Sequence, residues 1–271
     1  MIWPWGADNR AGDTAVRQGN LSALVEREII PRLVAAHPHD SVVTLVEPPK
    51  QITAEDIAAF TPLTVTAEAD VLLDFVERLI GRGVPVETVL VELLAPAARR
   101  LGDFWEDDRC DFVDVTMGLW RLQEVVHELS GRVPAVKRPS NKRRAPFCAV
   151  PGEQHSFGAV VLDDIFMREG WLTEPTTPEL LARIAPEWFD VIGLTVSCDS
   201  HISALPSLIR AIRNVSANAR IAVMVGGRVF LEDPARAAEV GADGTASDAR
   251  KAVKLASKLV GAKAQGVTAG A

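Results

Sequence analysis

The sequence predicts a small helical bundle followed by a five-stranded parallel α/β sheet, on three observations. Apolar residues recur at helical spacing between Val71 and Leu129 with only short breaks. Beyond residue 146 short apolar runs alternate with helical patterns, a texture that requires parallel strands joined by crossover helices. Between these blocks, residues 134–146 hold Lys137, Arg138, Lys142, Arg143 and Arg144 among Pro and Ser with no period, which is linker chemistry.

Taken in order, residues 1–62 read as an N-terminal appendage. Leu21, Leu24, Val25, Ile29 and Leu33 mark one helix that Pro31 interrupts. Residues 37–62 read as loop, with Pro38, Pro48, Pro49 and Pro62, apart from a short helix over Ala54–Phe60 entered through Thr53. The bundle, residues 63–133, carries three apolar stripes: Val71–Ile80 closed by Gly81 and Gly83, then Val86–Phe104, then Phe112–Leu129. Short connections make it antiparallel. Residues 147–261 form the sheet domain, with strands at Phe147–Val150, Leu172–Glu174, Val191–Val196, Ile221–Val225 and Gly244–Ala246. Helices over Phe157–Glu169, Pro178–Ile184, Ile202–Ile212, Pro234–Val240 and Asp248–Val260 join and follow them, and residues 262–271 are a small, polar tail.

Composition narrows the function. At 271 residues and 48% hydrophobic, the chain can bury a substantial core. Its 36 acidic residues against 29 basic ones leave a net charge of −7, so no global basic field exists to hold nucleic acid, and any DNA contact is local or made through a partner. Three cysteines without CxxC spacing argue against a disulfide framework and a thiolate zinc site, and point to a reducing compartment. No apolar run reaches the roughly 18 residues of a membrane span, and the first residues are no signal peptide, so the expectation is cytoplasmic.

Ligands of parallel sheets sit beyond the carboxyl ends of the strands. The loops there hold Gly152-Glu153-Gln154-His155-Ser156-Phe157-Gly158, then Ser197-Cys198-Asp199-Ser200-His201, then Gly226-Gly227-Arg228. His155 can be a ligand to a metal or a loop histidine satisfied by the following helix N-terminus. Glu153, two residues earlier, can accept the proton of one ring nitrogen and leave the other free to coordinate. Gly226-Gly227 admits a bulky ligand close to the backbone, or is a tight turn. No GxGxxG follows the first strand and no GxxxxGK[ST] occurs, which disfavours nicotinamide and P-loop nucleotides.

The order Glu153-x-His155-x-x-Gly158, Thr195-x-Ser197, Gly226-Gly227, on a sheet preceded by a small bundle, resembles the cobalamin-binding module of methionine synthase and of light-sensing regulators such as CarH. That module's signature is DxHxxG, SxL or SxT, and GG, and the resemblance spans residues 65–260. It implies a Rossmann-like cobalamin-binding fold with His155 as lower axial ligand to cobalt and Glu153 orienting it. Thr195 and Ser197 would meet the nucleotide tail, for which Gly226 and Gly227 clear room, while Ser156 and Gly158 complete the first loop. Glu153 stands where the family has Asp. Photoreceptors of the family carry W-x9-EH in the bundle; Trp105 matches the Trp, while Val115 and Thr116 occupy the Glu-His positions. Trp105 is therefore either a cap over the upper face or a core anchor.

Phe104–Phe112 running into Val115–Gln123 is most similar to the AerR/PpaA proteins of purple photosynthetic bacteria. This resemblance implies a light- or redox-responsive antirepressor without turnover. Its partner would be a DNA-bound repressor of the PpsR/CrtJ type, and DNA would be touched only through it. Related domains take haem in place of cobalamin. Two other functions share the module: a corrinoid methyl carrier and a haem-binding redox sensor. Val115-Thr116 and the N-terminal appendage favour the regulator, whose partner surface is assigned to the helix Leu21–Val34 with Trp3 and Trp5. Cys198 reads as a small buried thiol or as a redox thiol activated by the next helix, and His201 and His127 as surface or helix-end residues.

Overall fold

The computed structural model describes residues 51–132, 143–153, 156–173 and 180–265. From Pro49 onward the chain is one compact unit. The helix expected at Leu21–Val34, with Trp3 and Trp5, lies outside the described residues.

The first helix, α1 (Ala54–Thr66), opens with a reciprocal capping box: Thr53 accepts from the Asp56 N–H while the Asp56 side chain accepts from the Thr53 N–H. It runs straight through Pro62, which the sequence reading places in a loop. Packing overrides the proline because Phe60, Thr61 and Thr64 are fully buried, and the Thr61 and Thr64 hydroxyls bond back to the carbonyls of Ile57 and Thr61. The bundle therefore begins at Ala54, and the appendage does not extend to residue 62. Helix α2 (Ala69–Gly81) follows, burying Leu72, Val76 and Leu79.

Next, α3 (Val86–Val89) passes through a π-helical turn, Leu90–Leu94, into α4 (Ala95–Glu106). Pro96, in the first turn of α4, has no N–H to give the carbonyl four residues back, and its ring crowds that carbonyl; the wider turn before it removes the conflict. Helix α5 (Phe112–Gly131) has its own capping box, Asp111 with Asp114. Arg121 of α5 is buried, and its guanidinium donates to the carbonyls of Thr64 and Val65, both at 3.1 Å, and to Glu68 at 3.2 Å. It closes the C-terminal end of α1, which has no basic residue in its last turn.

The sheet has four parallel strands in the order β1 (Phe147–Ala149), β2 (Val191–Thr195), β3 (Ala222–Gly226), β4 (Gly244–Thr245). The fifth expected strand, Leu172–Glu174, reduces to a single parallel bridge between Arg144 and Leu172. Arg144 and the buried Ala145 already belong to the sheet domain, so the linker ends before residue 144. The connecting helices are α6 (Phe157–Arg168), α7 (Leu180–Ile184), α8 (Leu205–Val215), α9 (Arg228–Glu232) and α10 (Arg236–Glu239); α11 (Ala249–Gln265) closes the fold. Helix α11 runs past residue 261 into the segment expected to be tail. Helix α9 was missed because Gly226-Gly227-Arg228 looks like punctuation.

Strand β2 is buried on both faces, as a parallel sheet between helices must be. Val191 joins one core, which extends without a break into the bundle through Phe157, Val161 and Ile165; Ile192 and Leu194 join a second, on the opposite face. Gly193 is required in between: a Cβ there would stand 2.4 Å from the Phe147 ring. That ring packs on Phe166 at 4.5 Å, which packs in turn on Trp171 at 5.3 Å. Among the described residues no helix is long and apolar enough to cross a membrane.

Arg121→Ala removes three charge-assisted hydrogen bonds and leaves buried carbonyls without donors. Urea unfolding is expected to show a loss of about 2–4 kcal/mol, with the denaturant slope unchanged. A loss below about 0.5 kcal/mol, the size of an ordinary surface substitution, would contradict this assignment.

Candidate functional site

A cavity of about 640 Å³ opens beyond the carboxyl ends of the strands, between the sheet and the bundle. Its bundle wall is a run of small apolar residues, Val91, Ala95, Ala98 and Gly102 along the π-turn and α4, with Arg99, Trp105 and Glu106 of α4 and Phe112, Val115 and Leu119 of α5 beside them. The run's spacing of four, three and four is that of one helix face, while the neighbouring Glu92 meets Arg250 of α11 at 2.7 Å. The opposite wall brings Gly158 of α6 together with Thr195, Gly226, Ala246 and Ala249. Two walls of Ala, Gly and Val leave a broad slot, the shape that suits a large flat ligand.

Of the residues singled out in the sequence, Glu153, Gly158, Thr195, Ser197, Gly226, Gly227 and Trp105 line this cavity. Ser156 does not; it sits ahead of α6 and bonds to Gln123 of α5 at 3.2 Å. His155 lies outside the described residues. Gly227 has φ 112°, and a Cβ on it would come within 2.0 Å of the Val196 carbonyl, so this turn tolerates no side chain. At Gly226, by contrast, a Cβ would meet nothing within 4 Å, leaving open space above the strand end. Thr195 is buried, and its hydroxyl faces the Cys148 carbonyl at 3.4 Å.

Glu153 has a side chain only 4% exposed, and its carboxylate accepts from the Ser197 N–H at 2.9 Å. That bond ties the first loop to the third, and it uses the acid the sequence reading assigns to orienting His155. His201 stands beside the same carboxylate, with Nδ1 3.5 Å from Oε2 and no hydrogen-bond partner of its own. It lines the cavity and is not the surface histidine expected from its lack of a sequence partner; its position four residues past Ser197 in a strand-end loop was the usable signal. Trp105 is 53% exposed, so it is a cavity-wall residue and not a core anchor. Cys198 is exposed and also on the cavity wall, which overturns the buried-thiol reading; its sulfur accepts from the Ser200 hydroxyl at 3.1 Å.

Four polar links join the bundle to the sheet domain. Glu106 pairs with Arg228, the residue after the glycine pair, and both line the cavity. Arg250 holds Glu92 and Thr88, and Gln123 holds Ser156. Far from the cavity, Asp164 of α6 is buried and bonded to Arg168 and to Ser130 of α5. None of these cross-domain partners is separable from the background of surface charge in the sequence, because each pair is more than 30 residues apart.

Burial pushes the Cys148 thiol up to about 12, whereas Cys198 is exposed. The thiolate is the reactive form, so at pH 8 Cys148 stays protonated and shielded. A thiol reagent followed by peptide mass mapping is expected to label Cys198 at once and Cys148 only on unfolding. Equal labelling of both in the native protein would contradict the geometry.

Comparison with known proteins places this geometry. Residues 144–254 match the B12 binding domain family. The chain is 29% identical over 170 residues to the "Uncharacterized 20.5 kDa protein in bchF-crtJ intergenic region" of Rhodobacter capsulatus, across 61% of this chain and 88% of that protein. Among solved structures it is similar to the monomethylamine corrinoid protein of Methanosarcina barkeri, with a TM-score of 0.57 and 18% identity over 74% of this chain and 97% of that one. A cobalamin-binding protein from Desulfitobacterium hafniense DCB-2 aligns at a TM-score of 0.38 and 15% identity over 76% and 99%. The cavity fits the cofactor: the turn at Gly227 admits no Cβ, the space above Gly226 is open, and the slot between the walls is broad and apolar. The family match over residues 144–254 and the fit of the cavity agree, and the cofactor is cobalamin.

Proposed function

We propose that the chain is a cytoplasmic, cobalamin-dependent regulator that signals through contact with a DNA-bound repressor of the PpsR/CrtJ type, without turning over a substrate. The observation that carries the reading is the Glu106–Arg228 pair at the cavity, which joins the residue after Trp105 to the residue after the glycine pair. A cofactor in this cavity contacts both walls, so a change on it alters contacts that bridge the bundle and the sheet. The position of the Rhodobacter capsulatus relative's gene, between bchF and crtJ, supports a link to that repressor class.

In this reading His155 would ligate the metal and Glu153 would position the loop that carries it. Thr195 and Ser197 meet the nucleotide tail, while Gly226 and Gly227 leave it room. Ser156 and Gly158 shape the start of α6, and Trp105 with Phe112 closes the bundle side. When bound, cobalamin supplies a coordination position whose occupant changes with light or redox state. Val115 and Thr116 stand on α5 in place of a Glu-His pair, and Val115 itself lies on the cavity wall.

The second reading is a corrinoid methyl carrier, favoured by the fold shared with the monomethylamine corrinoid protein. A carrier must expose the metal to partner enzymes and cycle its oxidation state. The deciding experiment loads the protein with adenosylcobalamin and measures repressor binding in the apo, dark and illuminated states. Regulation predicts binding that depends on the ligand state. Equal binding in every state, or rapid methyl transfer from methylcobalamin to a thiol acceptor, would move the case to the carrier. His155→Ala is expected to change the visible spectrum and weaken cofactor binding.

Arg228→Gln removes the pair at the cavity mouth while keeping its shape. Because both partners are partly exposed, cobalamin dissociation is expected to speed up only about 2–5-fold at low salt. The difference should shrink at high salt. A stopped-flow chase that finds identical rates at low salt would show that the pair does not hold the cofactor.

A further inference from the structure

Helix α5 has a third face that neither the core nor the cavity uses. Val115 and Leu119 look into the cavity, and Leu122, Val125 and Val126 are buried, but Val113, Met117 and Trp120 are exposed at 63%, 38% and 49%. Their spacing of four and then three is that of a helix–helix seam, and Glu124 ends it one turn further on. A contiguous apolar stripe of this kind, rimmed by polar residues, marks an interaction surface, whereas exposed residues scattered singly do not.

The charge around the stripe selects the partner. Between Asp103 and Glu128 stand eight carboxylates against only Arg109 and Arg121, a net charge of −6 out of −7 for the whole chain. Arg121 is buried against Glu68 and the end of α1, and Arg109 lies over the Phe104 ring at 3.9 Å. The surface seen from solvent is therefore apolar and acidic. It repels nucleic acid and anionic lipid and attracts positive charge.

We infer that the Val113–Met117–Trp120 face of α5 is the docking surface for a basic amphipathic helix of a partner protein. Apolar side chains of that helix pack along the seam, and Lys or Arg on its flanks meets Asp107, Asp108 and Glu124, while Glu128 is already held by Arg132 at 3.1 Å. The same helix carries Val115 and Leu119 on the cavity wall, so the docking face and the cofactor share one rigid element. The inference rests on the reading of the chain as a regulator that signals through a protein partner, and it names the surface for that contact.

The test uses the full-length, cobalamin-loaded chain and a synthetic Leu/Lys peptide with leucines at i, i+3, i+4 and i+7. Controls are a peptide of the same composition in scrambled order and the Leu/Glu counterpart. The expectation is that the Leu/Lys peptide binds about 10-fold or more tighter than either control, and that Met117→Ser with Trp120→Ser loses at least that factor. Val71→Ser, an exposed apolar position on α2, should leave binding unchanged, and Asp108→Asn with Glu124→Gln should weaken it and flatten its salt dependence. Equal binding of the scrambled peptide, or no loss in the double variant, overturns the inference. So does a dimer that Trp120→Ser dissolves, since the face would then be covered by a second copy. So would shielding of Trp120 from iodide in the free chain, measured against Trp120→Phe, since a segment of the same chain would then occupy it. Each of these outcomes can occur with cobalamin bound normally, so failure of the inference is distinct from failure of the regulator reading.

Discussion

Everything at the site depends on α6 being packed from two sides at once. Phe157, Val161 and Ile165 of this helix belong to a core that runs unbroken from the sheet into the bundle. One buried carboxylate, Asp164, is held by Arg168 on the same helix and by Ser130 on α5. A buried pair of this kind adds little net stability, but loss of one partner is costly, so it fixes how the bundle sits on the sheet. With the two halves joined along α6, the space left between them at the carboxyl ends of the strands is the cavity. Its position follows from topology, and its breadth follows from the small residues on both walls.

The cavity and the cross-links around it make a coherent device. A ligand there touches α4 and α5 on one side and the three strand-end loops on the other. The loops are tied to one another by the Glu153 carboxylate on the Ser197 N–H, and to the bundle by Glu106 with Arg228 and Gln123 with Ser156. The exposed pairs each contribute only tenths of a kcal/mol to about 1 kcal/mol, so none locks the structure. Together they tie the two walls of the cavity to each other without locking them.

Much of this was legible in the sequence, and the failures have physical causes. The parallel sheet, its helices and most cavity residues could be read because apolar periodicity and strand-end loops are local signals. Pro62 inside α1 could not, because tertiary packing overrides its local preference, and the π-turn before Pro96 could not, because it leaves the apolar pattern of a helix unchanged. Of the strand expected at Leu172, the described residues show one bridge, to Arg144. Arg121, Arg228 and Arg250 have partners 53, 122 and 158 residues away, and only the folded chain shows them. His201 was discounted for want of a neighbour in sequence, although Glu153 is its neighbour in space.

The central claim is that cobalamin is held between the bundle and the sheet and contacts both. Native-state hydrogen exchange followed by mass spectrometry, on the apo and cobalamin-loaded chain, tests it directly. The account predicts that loading slows exchange together in Ala95–Glu106 and Phe112–Gly131 of the bundle and in the loops after β1, β2 and β3. Protection confined to residues 144–254, with the bundle helices exchanging at their apo rates, would contradict it.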